Sequence, residues 1–198
     1  MKRLLINIRG TNGSGKSTIP ILLIQSDDES YVISKPYKQR MKKILTICPN
    51  HKIVILGEYS NQTGGLDKFP NKAFTEKVLR YAINKFPEYS IIMEGILAAT
   101  TYSTYAELFK NVQDEYGIQP VVYYFMPPVE TCIERIKKRN GGKEFKEDLV
   151  IAKYGMMKRG IKKFDEAGDF PVVVVDNSRT KKSFALQQFF DKLEHIDL

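Results

Sequence analysis

The sequence predicts an α/β fold in which helices cover both faces of a mainly parallel sheet. Nearly continuous apolar runs, among them residues 4–8, 90–93, 120–125 and 171–175, alternate with segments of helical spacing. Such runs are typical of parallel strands that are buried on both faces of a sheet. A glycine-rich loop follows the first run and leads into a helical segment, which indicates a strand–loop–helix unit.

The remaining elements follow the same alternation, with one interruption. Helices are predicted at residues 16–25, 73–86, 101–116, 129–139, 145–167 and 182–193. Three β-rich runs at 31–34, 44–47 and 52–56, with a turn at 48–51, predict a β-hairpin between the first two βα units. We therefore expect one domain over residues 1–198, with a hairpin insertion at about 31–57 and a short lid at about 139–146.

The composition is that of an ordinary globular protein. Of the 198 residues, 42% are hydrophobic and 27% are charged. No apolar run approaches the roughly 20 residues of a membrane span, so no membrane association is expected. The N-terminus begins like a signal peptide, but its apolar stretch is too short, and a cytoplasmic location is expected. Cys48 and Cys132 lack the spacing of metal ligands.

Positive charge is concentrated in two stretches of the chain. The net charge is +8. Residues 35–52 carry six Lys or Arg and no acid, and residues 134–163 carry eleven Lys or Arg against four acids. Such stretches favour binding of a polyanion such as nucleic acid. They are equally compatible with solvated helix faces and a lysine-rich edge hairpin. The oligomeric state is left open.

Residues 10–17, GTNGSGKS, match the phosphate-binding loop G-x-x-x-x-G-K-[ST] in full. The motif has the required context, an apolar strand before it and a helical segment after it. Its glycines allow backbone N–H groups to point at phosphate oxygens, next to the positive end of a helix. Lys16 is expected at the β- and γ-phosphates, Ser17 at Mg²⁺ and Thr18 at the α-phosphate. The full set of expected nucleotide-binding residues is Gly10, Asn12, Gly13, Ser14, Gly15, Lys16, Ser17 and Thr18.

Carboxylates near two other strand ends are candidates for the acceptor side. Glu94 follows the apolar run 90–93, and strand ends line the ligand crevice of a doubly wound sheet. It is a candidate to hold Mg²⁺ or to accept a proton from the acceptor hydroxyl. A loop at 57–67 follows another strand end and offers Asp67 as catalytic base, with Glu58 as the competing choice. A plain surface loop is the alternative.

Two arginines four residues apart share one face of the helix predicted at 129–139. Arg135 and Arg139 are candidates to neutralise the charge that phosphoryl transfer spreads over the equatorial oxygens. The alternative is an exposed basic helix end that the helix dipole favours. Residues 176–180, after the last strand, are the expected side for the nucleotide base.

These motifs resemble the nucleoside-monophosphate-kinase-like superfamily of P-loop kinases. The strand at 120–125, the Pro127–Pro128 break and the arginine helix, with Glu130 in the acid position, carry the wider likeness. Four segments are most similar to bacteriophage 5-hydroxymethyluracil DNA kinases: IRGTNGSGKST at 8–18, LGEY at 56–59 with GGLD at 64–67, MEGIL at 93–97 and VETCIERI at 129–136. The resemblance extends from about residue 4 to residue 140.

The resemblance implies a three-layer P-loop kinase fold with a central five-stranded sheet in the order 2-3-1-4-5. It implies an ATP-dependent phosphotransferase, with GTP as a possible donor, that uses Mg²⁺ and phosphorylates the 5-hydroxymethyl group of hydroxymethyluracil in phage DNA. The host cell cytoplasm would then be the location. The resemblance assigns Lys16 and Ser17 to the nucleotide, Asp67 and Glu94 to the acceptor side, and Arg135 and Arg139 to the lid. Together with the motifs, it gives the expected catalytic residues Lys16, Asp67, Glu94, Arg135 and Arg139. The loop and strand-end motifs give Ser17 and Glu94 as expected metal ligands, and Glu58, Tyr59, Gly64, Gly65 and Asp67 as expected substrate-binding residues.

Two other functions remain open from the sequence. A small-molecule kinase for a deoxynucleotide, nucleoside or sugar would need less positive surface. The second alternative is a P-loop ATPase that has no phosphoryl acceptor. A GTPase is not expected, because it would carry an Asn-Lys-x-Asp motif, which the sequence lacks. Tyr59, Tyr102 and Tyr105 are candidates for stacking on a nucleic-acid base, although a packing role is the more common one for such residues.

Overall fold

The computed structural model describes residues 2–59, 65–95 and 102–196. Within these ranges the chain forms seven strands: β1 (Leu4–Arg9), β2 (Tyr31–Tyr37), β3 (Arg40–Cys48), β4 (Ile53–Leu56), β5 (Ser90–Glu94), β6 (Gln119–Phe125) and β7 (Val172–Val175). The same ranges contain six α-helices: α1 (Thr18–Gln25), α2 (Lys72–Lys85), α3 (Tyr102–Tyr116), α4 (Val129–Arg139), α5 (Glu147–Ala167) and α6 (Ala185–Glu194). Short 3₁₀ turns occupy Gly65–Lys68 and Lys182–Phe184.

The seven strands form one sheet in the order β2-β3-β4-β5-β1-β6-β7. Strands β4, β5, β1, β6 and β7 pair in parallel, whereas β2 pairs with β3 and β3 with β4 in antiparallel fashion. The predicted α/β class with a mainly parallel sheet is therefore confirmed. The prediction of five strands in the order 2-3-1-4-5 is wrong in strand number and in the order of the whole sheet. The segment expected as a hairpin insertion at 31–57 extends the sheet, because one side of β4 pairs with β5 and the other with β3.

Helices cover both faces of the sheet, which gives three layers. On one face, Ile19 of α1 and Phe189 of α6 pack against residues such as Ile6 and Ile8. On the other face, α2, α3 and α5 cover a second apolar cluster that includes Leu79 and Phe164. No helix in the described ranges is long and apolar enough to cross a bilayer.

The parallel strands end at one edge of the sheet, and this edge carries the residues of interest. The glycine-rich loop follows β1, Glu94 is the last residue of β5, and Gly57 follows β4. Residues 126–128 lead from β6 into α4, and residues 176–181 follow β7. Residues 140–146, which largely cover the segment predicted as a lid, connect α4 to α5.

Candidate active site

The loop after β1 curls tightly against α4. Gly13 has φ +78°, and a Cβ atom there would lie 2.3 Å from the carbonyl oxygen of Cys132. Glycine is therefore required at this position for both its backbone conformation and its close approach. The Ser14 N–H donates to the Thr11 carbonyl oxygen at 3.2 Å, and the buried Ser14 hydroxyl has no hydrogen-bond partner within residues 2–59, 65–95 and 102–196. The Ser14 side chain therefore packs inward, against Gly10, and the loop N–H groups are left to face a phosphate.

The Glu94 carboxylate lies at the centre of the site and is 1% exposed. The Ser17 and Tyr59 hydroxyls both donate to its Oε2, at 3.2 and 3.0 Å. Lys16 Nζ, on a residue that is 8% exposed, is 3.5 Å from Oε1. Burial raises the pKa of Glu94, and Lys16, Tyr59 and Ser17 act against that rise because they favour the charged form.

The grouping of Lys16, Ser17 and Glu94 fits a phosphate group with a hard divalent cation. A carboxylate and a hydroxyl are oxygen ligands of the type that Mg²⁺ prefers, and Mg²⁺ usually keeps several waters in addition to one or two protein ligands. Ser17 and Glu94, which the sequence analysis named as metal ligands, are in direct contact. Lys16 is the cation beside them that a phosphate oxygen would bind.

The 3₁₀ turn Gly65–Lys68 brings Asp67 next to Glu94. A Cβ atom on Gly95 would lie 3.1 Å from Asp67 Oδ1, and one on Gly65 would lie 2.3 Å from the carbonyl oxygen of Glu94. Asp67 is also close enough to raise the pKa values of Glu94 and Tyr59 by its negative charge. Asp67 is exposed, whereas Glu94 is buried. The predicted loop residue Gly64 lies outside the described residues.

Glu58 and Tyr59, the predicted substrate-binding residues, both contact other side chains of the site. Glu58 accepts from Lys43 at 2.5 Å, and its other oxygen lies 3.9 Å from Lys68 Nζ, so it joins β3 to the turn that carries Asp67. The Tyr59 hydroxyl contacts the Glu94 carboxylate. Burial and the negative charge of Glu94 raise the pKa of Tyr59 well above its usual range, so its hydroxyl remains a donor.

The other two tyrosines proposed for stacking take part in packing. Tyr102 meets the Phe164 ring at a centroid distance of 4.6 Å, edge to face. Tyr105 is buried next to Phe109, with a centroid distance of 6.2 Å. Tertiary packing therefore accounts for both rings.

The two predicted arginines occupy different surroundings. Arg135 Nη1 approaches the carbonyl oxygens of Gly13 and Ser14 at 3.5 and 3.3 Å, and Nη2 donates to the Asn177 carbonyl oxygen at 2.9 Å. Arg135 therefore links α4, the glycine-rich loop and the segment after β7. Arg139, one turn further along, is exposed.

Asn177 is a site residue that the motif analysis did not single out. Its side-chain amide donates to the Ser14 carbonyl oxygen at 2.9 Å, and its Oδ1 lies 3.3 Å from Arg135 Nη1. The only sequence signal for it was its place within residues 176–180, directly after the last strand. A pocket of about 230 Å³ opens there, lined among others by Gly15, Thr18 and Thr180.

Comparison with known proteins places these features in a family. A family model described as 5-hmdU DNA kinase, the nucleoside being 5-hydroxymethyl-deoxyuridine, matches residues 2–187. A 5-hmdU DNA kinase of Bacillus phage SP10 is 38% identical over 169 residues, which cover 83% of this chain and 26% of that protein. The 5-hmdU DNA kinase 1 of Salmonella phage ViI is 33% identical over 156 residues, 76% of this chain and 66% of the relative. The chain thus spans about a quarter of the length of the SP10 relative and just under two thirds of the length of the ViI relative.

A shorter relative and a solved structure are also similar. The 5-hmdU DNA kinase of Pseudomonas phage PaMx11 is 28% identical over 187 residues, which cover 88% of this chain and 92% of that protein. The structure of a deoxyadenosine kinase from M. mycoides with bound dATP aligns with 96% of this chain and 100% of its own chain, at 23% identity and a TM-score of 0.45.

Proposed function

The chain belongs to the 5-hmdU DNA kinase family, and we propose that it transfers the γ-phosphoryl group of ATP to the 5-hydroxymethyl group of hydroxymethyluracil in DNA. The observation that carries this proposal is the position of Glu94. Its carboxylate touches Lys16 and Ser17 of the glycine-rich loop on one side and lies beside the turn of Asp67 on the other. A phosphate-binding loop and a pair of carboxylates are thus joined in one site. For a phage-encoded enzyme, the host cytoplasm is the proposed compartment.

The residues around the loop form the nucleotide side. We assign Lys16 and the backbone N–H groups of residues 10–17 to the phosphates, and Ser17 with Glu94 to Mg²⁺. When bound, Mg²⁺ neutralises negative charge on the β- and γ-phosphates. Lys16 exchanges its ion pair with Glu94 for contact with a phosphate oxygen. The pocket beside Asn177 and Thr180 receives the base, because it opens between the loop and the segment after β7.

The two carboxylates take different parts in the reaction. Three groups of the chain already engage Glu94, so its negative charge is held in place to bind a cation. Asp67 is exposed on the turn beside it, where an incoming hydroxyl has access. We therefore assign Asp67 as the general base. The acceptor oxygen forms a bond to the γ-phosphorus, the bond to the β-phosphate oxygen breaks, and the hydroxyl proton passes to Asp67.

Arg135 and Arg139 supply positive charge on the α4 side. Arg135 is held by the carbonyl oxygens of the loop and of Asn177, so its guanidinium is fixed between the phosphate loop and the proposed base pocket, which it also lines. Preorganised cations of this kind stabilise the charge that develops in the transition state. Arg139 is exposed next to the 140–146 connection, and we assign it to the closed state of that segment.

Transfer of label from γ-labelled ATP to a panel of acceptors tests the proposed function. The panel holds plain DNA, DNA with hydroxymethyluracil or hydroxymethylcytosine, free deoxynucleotides and small sugars, all with Mg²⁺. Label on hydroxymethyluracil DNA alone is expected. Label only on a free nucleotide or sugar would assign the site to a small-molecule kinase, and hydrolysis without transfer to any acceptor would make it an ATPase.

Two variants then separate the roles of the carboxylates. Asp67→Asn is expected to lower kcat while the affinity for Mg²⁺ and ATP is retained, because Asp67 acts on the acceptor. Glu94→Gln is expected to weaken binding of Mg²⁺ with ATP. The opposite pattern would exchange the two assignments.

A further inference from the structure

The β2–β3 hairpin and α2 enclose a cleft of about 650 Å³ that the proposed phosphoryl transfer does not use. Its walls are largely apolar and aromatic, with Tyr37, Ile44, Phe74 and Tyr81 among the lining residues. Lys35 and Lys77 also line it. We name this feature the hairpin cleft. A cleft with aromatic walls and lysines is the combination that single-stranded nucleic acid requires, since bases stack on the rings and phosphates meet the cations.

Lys43 of the hairpin is paired with Glu58, but the opposed Lys35 and Lys42 are unfavourable without a further anionic partner. Lys35 is directly opposite Lys42 in the β2–β3 register, and like charges in that arrangement destabilise a strand pair. Residues 30–57 contain no acidic residue. On α2 the one acid is Glu76, which is bound to Arg80 of the same helix at 3.2 Å. Bound phosphates would relieve this repulsion.

The aromatic rings are already held in place. Tyr37 meets Phe74 edge to face at a centroid distance of 4.7 Å. The ammonium groups of Lys35 and Lys85 lie 5.0 and 5.8 Å from the centre of the Tyr81 ring. A base that stacks in the cleft would therefore meet rings that are ordered beforehand and cations beside them.

The hairpin extends from the edge of the sheet that carries the site. Leu45 of β3 is opposite Leu56, the last residue of β4, so the five residues back to Arg40 reach roughly 17 Å past that edge. The Thr46 hydroxyl bonds to the Gly57 carbonyl oxygen at 2.8 Å and fixes the hairpin at the strand end. Asp67 is four residues from Asn71, the N-cap of α2, so their Cα atoms are at most about 14 Å apart.

From these observations we infer that the hairpin cleft is the DNA-binding groove of this protein. It holds the strand that flanks the modified base, with bases against Tyr81 and Tyr37 and phosphates against Lys35 and Lys77. Lys42 does not line the cleft, but it is opposite Lys35 on the hairpin and extends the positive surface beside it. The inference rests on the proposed function for the identity of the nucleic acid. The second basic stretch, residues 134–163, includes much of α5 and is the alternative surface for binding DNA.

The test compares two triple variants that remove equal charge from the full chain. The cleft variant is Lys35→Gln/Lys42→Gln/Lys77→Gln, and the matched control on α5 is Lys153→Gln/Lys158→Gln/Lys162→Gln. Binding of a fluorescently labelled single strand with one hydroxymethyluracil is measured by anisotropy across a salt series. Each lost phosphate contact lowers the salt slope by about 0.7, so the cleft variant should lose about 2 in slope and roughly fiftyfold in affinity at 0.15 M salt. The α5 variant should keep the wild-type slope.

Two further variants separate charge and stacking from folding. Lys35→Arg/Lys42→Arg/Lys77→Arg retains the charge and should restore the salt slope. Tyr81→Leu keeps apolar volume but removes the ring, and it should weaken binding about 5- to 150-fold without a matching fall in Tm.

The outcomes distinguish this inference from the proposed function. Wild-type protein that binds and phosphorylates hydroxymethyluracil DNA would support the proposed kinase function. If the cleft variant then binds as tightly as wild type, or the α5 variant loses affinity instead, the assignment of the hairpin cleft as the DNA-binding groove is wrong. If wild-type protein neither binds nor phosphorylates such DNA, both are wrong.

Discussion

Replacing Tyr59 with Phe removes one hydrogen bond from the Glu94 carboxylate and leaves the ring in place. In the structure the Tyr59 hydroxyl donates to Glu94 Oε2 at 3.0 Å, and this bond acts against the rise in the pKa of Glu94 that burial causes. Without the bond, the charged form of Glu94 loses a stabilising partner, so its pKa rises further. Because the proposed metal-binding form is the carboxylate, activity should then be lost at a higher pH as the solution is acidified.

The size of the shift follows from the strength of the bond. A hydrogen bond to a charged group contributes about 1.5–3 kcal/mol, and one pKa unit corresponds to about 1.4 kcal/mol. The acid limb of the pH profile should therefore move upward by roughly 1–2 units. The assay is kcat/KM for ATP between about pH 5 and 9, because this parameter reports groups of the free enzyme.

Tyr123→Phe is the matched control for this experiment. The Tyr123 hydroxyl is buried and has no hydrogen-bond partner among the described residues, so its removal should leave the acid limb where it is. An unmoved acid limb in a folded Tyr59→Phe variant, as judged from its Tm, would refute the assignment of Glu94 as the carboxylate that must be charged. A fall in kcat/KM by the same factor at every pH would also refute it, because a change in the pKa of Glu94 would alter kcat/KM mainly on the acid side.

Three further outcomes follow from the geometry. Gly13→Ala should abolish ATP binding in calorimetry, because φ is +78° and the new Cβ would lie 2.3 Å from the Cys132 carbonyl oxygen. Arg135→Lys should lower both Tm and kcat, the latter on the order of 10³-fold, because Arg135 bonds to loop carbonyl oxygens. Arg139→Lys should lower kcat alone, because Arg139 is exposed. Equal losses of Tm in the two variants would contradict this. Burial raises the pKa values of Cys48 and Cys132 to about 12 and about 11, so neither thiol should react with a disulfide reagent at pH 8 until the chain is unfolded.

The sequence predicted the phosphate loop because all of its requirements are local. The positive φ of Gly13 and Gly15, the following helix and the positions of Lys16 and Ser17 depend on residues within one strand–loop–helix unit. The same holds for Glu94, whose place at a strand end is visible in the apolar run before it. The family resemblance rests on these local segments and was confirmed by the family match.

Pairings between distant segments were not visible in the sequence. Residues 52–56 were predicted as one arm of a hairpin. An isolated apolar run does not reveal that the strand it forms, β4, will be paired on both sides, with β3 and with β5. The sequence offered Tyr59 as a candidate for stacking on a base. Only the fold shows that its hydroxyl contacts Glu94, 35 residues away. Asn177 carries no motif, and 163 residues separate it from its partner Ser14.

By itself, the sequence determined the α/β class, the nucleotide loop and the candidate carboxylates of this protein. Only the tertiary structure decided which partner each side chain has: Glu58 with Lys43 and Lys68, Tyr59 with Glu94, and Arg135 with the loop and Asn177. The physical reason is range. Backbone conformation and apolar periodicity are set by neighbours in the chain, whereas hydrogen bonds and ion pairs form between whichever polar groups the packed sheet and helices bring within about 3 Å.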